Sequence, residues 1–264
     1  MNYGIVIRNV TDLRAAPRFR SERKSQLLFN ESVRVTTRQQ GYCHVTQADG
    51  YAGWVDERAL FMVTEKESGR HLKRLKFRVA APMARAGLDS RITRDYPYFL
   101  FYGTRLAAPG AGKRAGSYRS ADGRRFDLSL GNIRSLENKP PPKGEAVVKE
   151  ATRFLGTPYL WGGITPGGFD CSGLVRMVYD FFDIHLPRDS REQRRIGVKV
   201  TQDEVTAGDL LFFKGHVAIA VNKRKIIHAS LGGGGVTVDS LDPADDDYRA
   251  DLAGIFIGAR RILP

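Results

Sequence analysis

The sequence has no apolar run long enough to cross a bilayer, and it has no Cys-x-x-Cys pair. The first absence excludes a membrane-spanning helix, which needs about 20 consecutive apolar residues. The second argues against a zinc ribbon or a dithiol redox pair. Only two cysteines occur, Cys43 and Cys171, far apart and in unlike settings. No disulfide framework is therefore expected, and 264 residues need none to bury a core. The opening "MNYGIVIRNV" lacks the charged start, apolar centre and small-residue cleavage site of a secretory leader. Either the protein works in the cytoplasm or a leader has been removed, and the cytoplasm is the expectation. Acidic residues are scarce beside basic ones, 29 against 42, for a formal net charge of +13. That balance favours anionic partners such as cell-wall polymers or carboxylate-rich substrates. It also fits nucleic acid, but no RNA-binding signature or helix-turn-helix pattern is present, so nucleic acid is not an expected partner.

What is present divides the chain. Residues 1–64 read as short strands with polar turns: "YGIVIRNV", "SVRVTT" with Val33 and Val35 on one face, then "YCHVTQ" and "YAGWV" around an Ala-Asp-Gly turn. This pattern predicts a small β-barrel with Cys43 as an apolar filler inside a strand. Residues 65–137 read as a second, less regular β-domain. It starts in a dense basic stretch (Arg70, Lys73, Arg74, Lys76, Arg78), continues through "YPYFLFYGTRL", and carries another Asp-Gly turn in "SYRSADGRRFDLSLGNI". Residues 138–144, with three successive prolines, predict a stiff linker. Residues 145–264 then read as one α+β domain, with helices first and antiparallel strands after. "EAVVKEATRFL" has helical spacing at Val147, Val148, Ala151, Phe154 and Leu155, and "SGLVRMVYDFF" at Leu174, Val175, Val178 and Phe182. "DSREQRRIG" predicts a short helix capped by Asp189 or Ser190 and stopped at Gly197. Strands follow in "DLLFF", "HVAIAV", "KIIHAS", "VTVDS" and "GIFIGARRIL".

Cys171 stands where the second helix begins, behind Asp170 as a candidate cap and two glycines that let the chain approach closely. A helix N-terminus favours the thiolate, so the spacing predicts a reactive cysteine with a lowered pKa. Such a nucleophile needs an imidazole beside it and a group to orient that imidazole. Five histidines are available. His44, His71 and His185 lie outside the strand region after the cysteine, whereas His216 and His228 interrupt two consecutive apolar strands there. A polar ring in an apolar strand is costly unless it is paired. A tight turn at Lys223-Arg224 would set His228 opposite Ile219, not His216, so a bulge or strong twist would be needed to join the rings.

Six segments in order, "GTPYLWGG", "FDCSGLV", "LPRDSREQ", "AGDLLFF", "HVAIAV" and "IIHAS", resemble the NlpC/P60 family of cysteine peptidases. The resemblance implies a papain-like α+β fold with Cys171 as nucleophile, His216 as general base and His228 as the orienting group. No metal or cofactor is implied. It also implies cleavage of peptidoglycan stem peptides between γ-D-glutamate and a diamino acid such as meso-diaminopimelate. Tyr159, Asp170, Ser172, Asp189 and Ser190 match positions that line the family's substrate cleft, and Tyr159 with the Cys171 N–H is expected to stabilise the oxyanion. "KSQLLFNESVRV", "GYCHVT" and "DGYAGWV" resemble bacterial SH3 (SH3b) domains, and "YGTRL" resembles a divergent second copy. The expected architecture is thus multidomain: two small SH3-like β-barrels followed by the α+β peptidase.

That order is similar to murein-peptide-recycling enzymes, whose first SH3b domain restricts substrates to those with a free N-terminal L-Ala. Tyr51 is then expected in that restricting wall. Glu22 is expected as the acid that holds the substrate amine, although Arg23 and Lys24 stand between it and Ser25. The expected partners are peptidoglycan-derived peptides and anionic wall polymers, with the oligomeric state open. A secreted hydrolase of intact peptidoglycan anchored by SH3b domains, a non-catalytic wall binder and an acyltransferase remain as alternatives.

Overall fold

The computed structural model describes residues 2–89, 98–108, 116–136 and 141–264. The start of the aromatic run at Tyr96-Pro97 and the first linker residues, 138–140, lie outside them. The chain forms two compact units, Met1–Glu137 and Asn138–Pro264.

The first unit begins with seven strands: β1 (Asn2–Val6), β2 (Val10–Arg14), β3 (Arg23–Leu28), β4 (Ser32–Gln39), β5 (Tyr42–Thr46), β6 (Ala52–Asp56) and β7 (Leu60–Thr64). They pair in the order β3-β2-β6-β5-β4-β1-β7. Alternation along β4 and β5 drives this pairing, because Val33, Cys43 and Val45 all point into one apolar core with Leu13, Leu27 and Val55. Cys43 is fully buried there and unbridged, as an apolar filler would be. The expected Ala-Asp-Gly turn closes the β5–β6 hairpin, with Gly50 at a φ of 87°.

The first part of the basic stretch, through Arg74, is not β structure. It forms α1 (Glu65–Arg74), opened by a full capping box between Thr64 and Glu67. The helix has few apolar residues, so periodicity did not announce it; the only local signal was the Thr-x-x-Glu spacing. Seven short strands complete the unit: β8 (Leu75–Val79), β9 (Met83–Asp89), β10 (Tyr98–Phe101), β11 (Arg105–Ala107), β12 (Ser117–Arg119), β13 (Arg125–Leu128) and β14 (Ile133–Ser135). They form two sheets, β10-β9-β13-β12 and β11-β8-β14, which share a core of Val79, Leu100, Leu106 and Phe126. The barrels expected from the sequence are therefore not closed as hydrogen-bonded sheets among the described residues. In the second region the β8–β11 ladder also slips register at Leu106/Ala107, and a bulge of this kind ends pairing early.

The second unit contains α2 (Gly144–Thr152), a small β15 (Ile164–Thr165) and β16 (Gly168–Phe169) pair, α3 (Cys171–Asp180), α4 (Ser190–Gln193), β17 (Val198–Val200), β18 (Leu210–Phe213), β19 (His216–Ala220), β20 (Lys225–Ser230), β21 (Gly235–Ser240), α5 (Ala250–Ala253) and β22 (Phe256–Arg261). Six strands form one antiparallel sheet, β17-β22-β18-β19-β20-β21. α3 packs on β19 and β20, and on α2. Leu174, Val175 and Val178 of its apolar face are fully buried, each contributing about 1.5–3 kcal/mol of burial. Leu155, expected on the buried face of α2, is instead 49% exposed, because the helix stops at Thr152 and the chain turns before reaching it.

Candidate active site

Asp170 explains the local shape around the cysteine. As N-cap of α3 its Oδ1 accepts the Gly173 N–H at 2.7 Å, and its Oδ2 accepts the Gly162 N–H at 2.9 Å. One carboxylate thus joins the helix start to the glycine loop before it. A side chain at Gly173 is impossible here, since a Cβ would stand 2.2 Å from the Gly163 carbonyl oxygen. The glycine two residues after Cys171 is therefore dictated by close packing of backbone on backbone.

The sequence reading missed the partner of this cap. Arg188 is 2% exposed and grips Asp170 with both nitrogens, Nη2 to Oδ2 at 2.6 Å and Nη1 to Oδ1 at 3.0 Å. Its Nη1 also donates to Ser172 Oγ at 2.9 Å. A planar guanidinium suits this bidentate geometry. Asp170 and Ser172, expected against substrate, are thus buried and tied to Arg188. Gln193 adds a second brace: its Nε2 donates to the Ser172 carbonyl at 3.1 Å and the Pro187 carbonyl at 2.9 Å.

Cys171 is the first residue of α3, 8% exposed, and receives the backbone N–H groups of Ser172 and Val217. Val217 follows His216, so the thiol lies against the start of β19. The helix terminus, expected to lower the Cys171 pKa, does not decide it. Burial, followed by the Asp170 charge, pushes the Cys171 thiol up to about 11, outweighing the two N–H groups and Arg188. His216 moves the other way. Burial first, then the His228 and Arg249 charges, push it down to about 3. Nucleophile and base are both neutral at rest.

The two histidines meet. His216 Nε2 lies 2.7 Å from His228 Nδ1. The expected turn was one residue too short. Ile219 pairs with Ile227 and Ala220 with Ile226, which makes Asn222-Lys223-Arg224 a three-residue loop. Continuing that register sets His228 across from Ala218, on the same face as His216. Moving the register by one residue flips a side chain to the other face, so the three-residue loop puts both rings on one face of the sheet.

Beyond His228 stands Asp239, which the sequence reading did not single out. His228 Nε2 donates to Asp239 Oδ2 at 2.9 Å, and Arg249 Nη1 donates to the same oxygen at 2.7 Å. Burial alone would raise the Asp239 pKa, but these two hydrogen bonds hold it below the ordinary carboxylate range. Arg249 is in turn fixed by Asp251, at 2.7 Å. The only sequence signal was an acid within the otherwise β-type "VTVDS" segment.

Tyr159 is half-buried; burial, then the charges of Cys171 and Asp170, push its hydroxyl up to about 12, so it stays a donor. Asp189 caps α4 by position and is exposed, and Ser190 is its first residue. Tyr51 and Glu22 belong to the first unit. The Lys24 ammonium lies 4.8 Å over the Tyr51 ring, and Glu22 is exposed. His44, His71 and His185 bond to Thr36, Asn30 and Asp180 and take no part in the arrangement. Among the described residues no three His, Cys, Asp or Glu side chains gather as a metal site, and no helix is long and apolar enough to cross a membrane.

Comparison with known proteins places two regions of the chain in families. Residues 156–249 match the NlpC/P60 family, and residues 13–60 match the bacterial dipeptidyl-peptidase Sh3 domain. Dipeptidyl-peptidase 6 of Lysinibacillus sphaericus is 46% identical over 110 residues, which span 41% of each chain. Two proteins named gamma-D-glutamyl-L-lysine dipeptidyl-peptidase are also similar. That of Bacillus cereus is 36% identical over 50% of this chain and 40% of its own. That of Bacillus subtilis is 29% identical over 88% of this chain and 80% of its own. The chain thus spans about two fifths of the first two relatives and four fifths of the third. A crystal structure of an NlpC/P60 family protein from Bacillus cereus shares the fold, with a TM-score of 0.86 at 23% identity over 99% of this chain and all of that one. The chain carries an NlpC/P60 domain together with an N-terminal bacterial SH3 domain.

Proposed function

We propose that the second unit is a cysteine peptidase that hydrolyses the bond between γ-D-glutamate and a diamino acid in peptidoglycan stem peptides. The observation that carries this reading is the His216–His228–Asp239 relay that starts one residue before Val217, whose N–H the Cys171 thiol receives. It also assigns the protons. An ionised Asp239 only accepts, so His228 carries its proton on Nε2. With His216 neutral, its Nε2–H donates to His228 Nδ1. That leaves the Nδ1 lone pair of His216 for the thiol.

Because thiol and imidazole are both neutral at rest, attack and proton transfer go together. The Cys171 proton passes to His216 Nδ1 as sulfur bonds to the γ-carbonyl carbon. The Cys171 N–H, which at the first helical position has no intrahelical acceptor, and the Tyr159 hydroxyl supply donors for the developing oxyanion. The imidazolium returns its proton to the leaving amine, which departs as the C–N bond breaks. Water, deprotonated by His216, then attacks the thioester carbonyl; the C–S bond breaks and His216 returns that proton to the Cys171 sulfur. The exposed Asp189 and the half-buried Ser190 are the polar groups assigned to substrate recognition. Arg188 holds Asp170 and Ser172 in place behind them.

The names of the relatives extend the diamino acid from meso-diaminopimelate to L-lysine. In this proposal residues 1–64 and 65–137 act as an SH3b domain and a divergent second copy, and residues 138–144 as a linker. Free murein peptides are the first substrate. A second reading gains from Lys24: a cation already lies on Tyr51, which disfavours holding a substrate amine there. Blocked peptides and intact peptidoglycan would then also be cut.

The test is mass spectrometry of L-Ala-γ-D-Glu-meso-diaminopimelate, its L-lysine counterpart and their N-acetylated forms, incubated with the protein and with Cys171→Ala. Release of the diamino acid by the wild type alone is expected. Equal cleavage of acetylated peptides selects the second reading. No cleavage of any of the four overturns both.

A further inference from the structure

The hydrogen-bonded chain that starts at His216 does not end on Asp239. Arg249, the residue before α5, joins two carboxylates in unlike ways. Its Nε and Nη2 fork across Asp251, at 2.8 Å to Oδ1 and 2.7 Å to Oδ2. That leaves Nη1, which donates to Asp239 Oδ2 at 2.7 Å. The same Oδ2 accepts His228 Nε2–H at 2.9 Å, while Oδ1 accepts the Thr237 hydroxyl at 3.3 Å. Cation and imidazole thus converge on one oxygen.

This is not the geometry of a bracing ion pair. A guanidinium that braces a carboxylate spans both of its oxygens, as Arg188 does on Asp170. The fork of Arg249 lies instead on Asp251, whose side chain is 62% exposed and screened by solvent. The single Nη1 contact reaches inward, to a buried carboxylate beside a fully buried ring. The backbone holds Arg249 in this place. Its N–H donates to the carbonyl of Ser240, the neighbour of Asp239, at 2.8 Å. A side chain at Gly232 would begin 3.2 Å from Nη2, so the glycine keeps room for the guanidinium.

An undivided carboxylate charge beside an imidazole favours a second proton on the ring. His228 would then donate from both nitrogens. Its Nδ1–H would point at His216 Nε2, and the one proton of His216 would move to Nδ1. That nitrogen has to be empty to take the thiol proton. The other groups around His228 do not oppose this change. His216 from β19 and Cys171 from α3 are both neutral at rest. Arg176 and Asp180 of α3 stand about 140° and about 180° around the helix from Cys171. On α2, Glu150 is paired with Arg153, and Glu145 and Lys149 are exposed. Arg249 is the cation that sits on the carboxylate itself.

We propose that Arg249 is a positioning residue: by sharing Asp239 Oδ2 with His228 it keeps a second proton off that ring and so fixes the direction of the His216–His228 hydrogen bond. Its effect on the rate rests on the peptidase reading; its effect on the rings does not. The Arg249 charge also helps to hold His216 unprotonated, which works in the same direction.

Nitrogen-15 NMR of the full chain, with the histidine rings labelled, tests this without substrate. In the wild type near pH 7, His216 and His228 should each carry one proton, on Nε2. Arg249→Gln keeps a hydrogen-bond donor for Asp239 but removes the charge. It should show His228 protonated at both nitrogens and His216 protonated at Nδ1. Arg249→Lys restores a cation and should return the wild-type pattern. On the peptide that the wild type cleaves, kcat/KM of Arg249→Gln should fall about tenfold near pH 7 and recover towards pH 9, an acid limb that the wild type lacks. A purely structural role would lower the rate equally at every pH and leave the rings unchanged. A doubly protonated His228 in the wild type, or wild-type rings in Arg249→Gln, overturns the proposal. Absence of cleavage by the wild type would overturn the peptidase reading instead, and the ring spectra would still decide the role of Arg249.

Discussion

His228 donates Nε2–H to Asp239 Oδ2 at 2.9 Å, from a position with no solvent exposure. This contact sets the tautomer of His228, and through it the tautomer of His216. In the proposed reaction Asp239 therefore acts through two rings, as a positioning residue.

Replacing Asp239 with Asn should expose that role. An amide can present its NH2 to His228, which favours the opposite tautomer and turns His216 Nδ1 into a donor. A fall in kcat of about 10²–10³-fold with little change in KM is expected. Thermal unfolding should show a loss of about 1–3 kcal/mol, from Arg249 losing its charged partner. A variant with unchanged kcat and lowered stability alone would assign Asp239 to structure only.

The resting state is neutral at both Cys171 and His216, and this shapes the pH profile. Activity needs an unprotonated His216, and its pKa is pushed down to about 3. The rate kcat/KM should therefore show no acid limb near pH 6.5, the ordinary histidine range. Alkylation of Cys171 by iodoacetamide should keep accelerating towards pH 11, the value to which the thiol is raised. A plateau in alkylation already at pH 6 would instead indicate a resting thiolate–imidazolium pair.

Much of the site was legible because its chemistry falls in short segments. Asp170 and Cys171 are adjacent, and the apolar spacing after them marked α3. His216 and His228 stood out because each interrupts an apolar strand. Their contact was not legible, since it depends on whether a surface loop has two residues or three, and Lys223-Arg224 carries no strong turn signal. Arg188 and Asp239 were missed for another reason: each looks like an ordinary surface charge until the fold buries it against its partner. α1 was hidden because its face is polar, so its stability comes from its cap and its charges and not from an apolar stripe. The sign of the Cys171 shift was misjudged because burial is a tertiary property, and here it outweighs the helix terminus.

The Arg188–Asp170 pair should govern the stability of the second unit. Removing one partner leaves a buried charge uncompensated, at a cost of about 3–5 kcal/mol. Arg188→Ala should show this loss in calorimetry. Arg188→Lys should recover only part of it, because an ammonium cannot fork across Asp170 Oδ1 and Oδ2. Asp170→Asn/Arg188→Met removes both charges and should be more stable than Arg188→Ala. If Arg188→Ala melted with the wild type, the brace assigned to this pair would not exist.

His216 makes the stability of the same unit depend on pH in a direction that can be worked out. In the unfolded chain an imidazole titrates near about 6.5, and in the fold His216 titrates at about 3. Between those values the unfolded chain binds a proton that the folded chain refuses. Stability from this group is complete above pH 6.5 and falls as pH drops towards 3, by up to about 1.4 kcal/mol per unit. Carboxylates such as Asp239, held below its ordinary range, lose their own contribution only at lower pH, where they protonate. His216→Asn removes the imidazole while keeping a polar group beside His228. Urea unfolding at pH 6.5 and pH 4.5 separates the two effects. The wild type should lose about 2–3 kcal/mol more than His216→Asn across that interval. Equal losses would mean that His216 titrates normally in the fold, and the neutral resting pair with Cys171 would have to be abandoned.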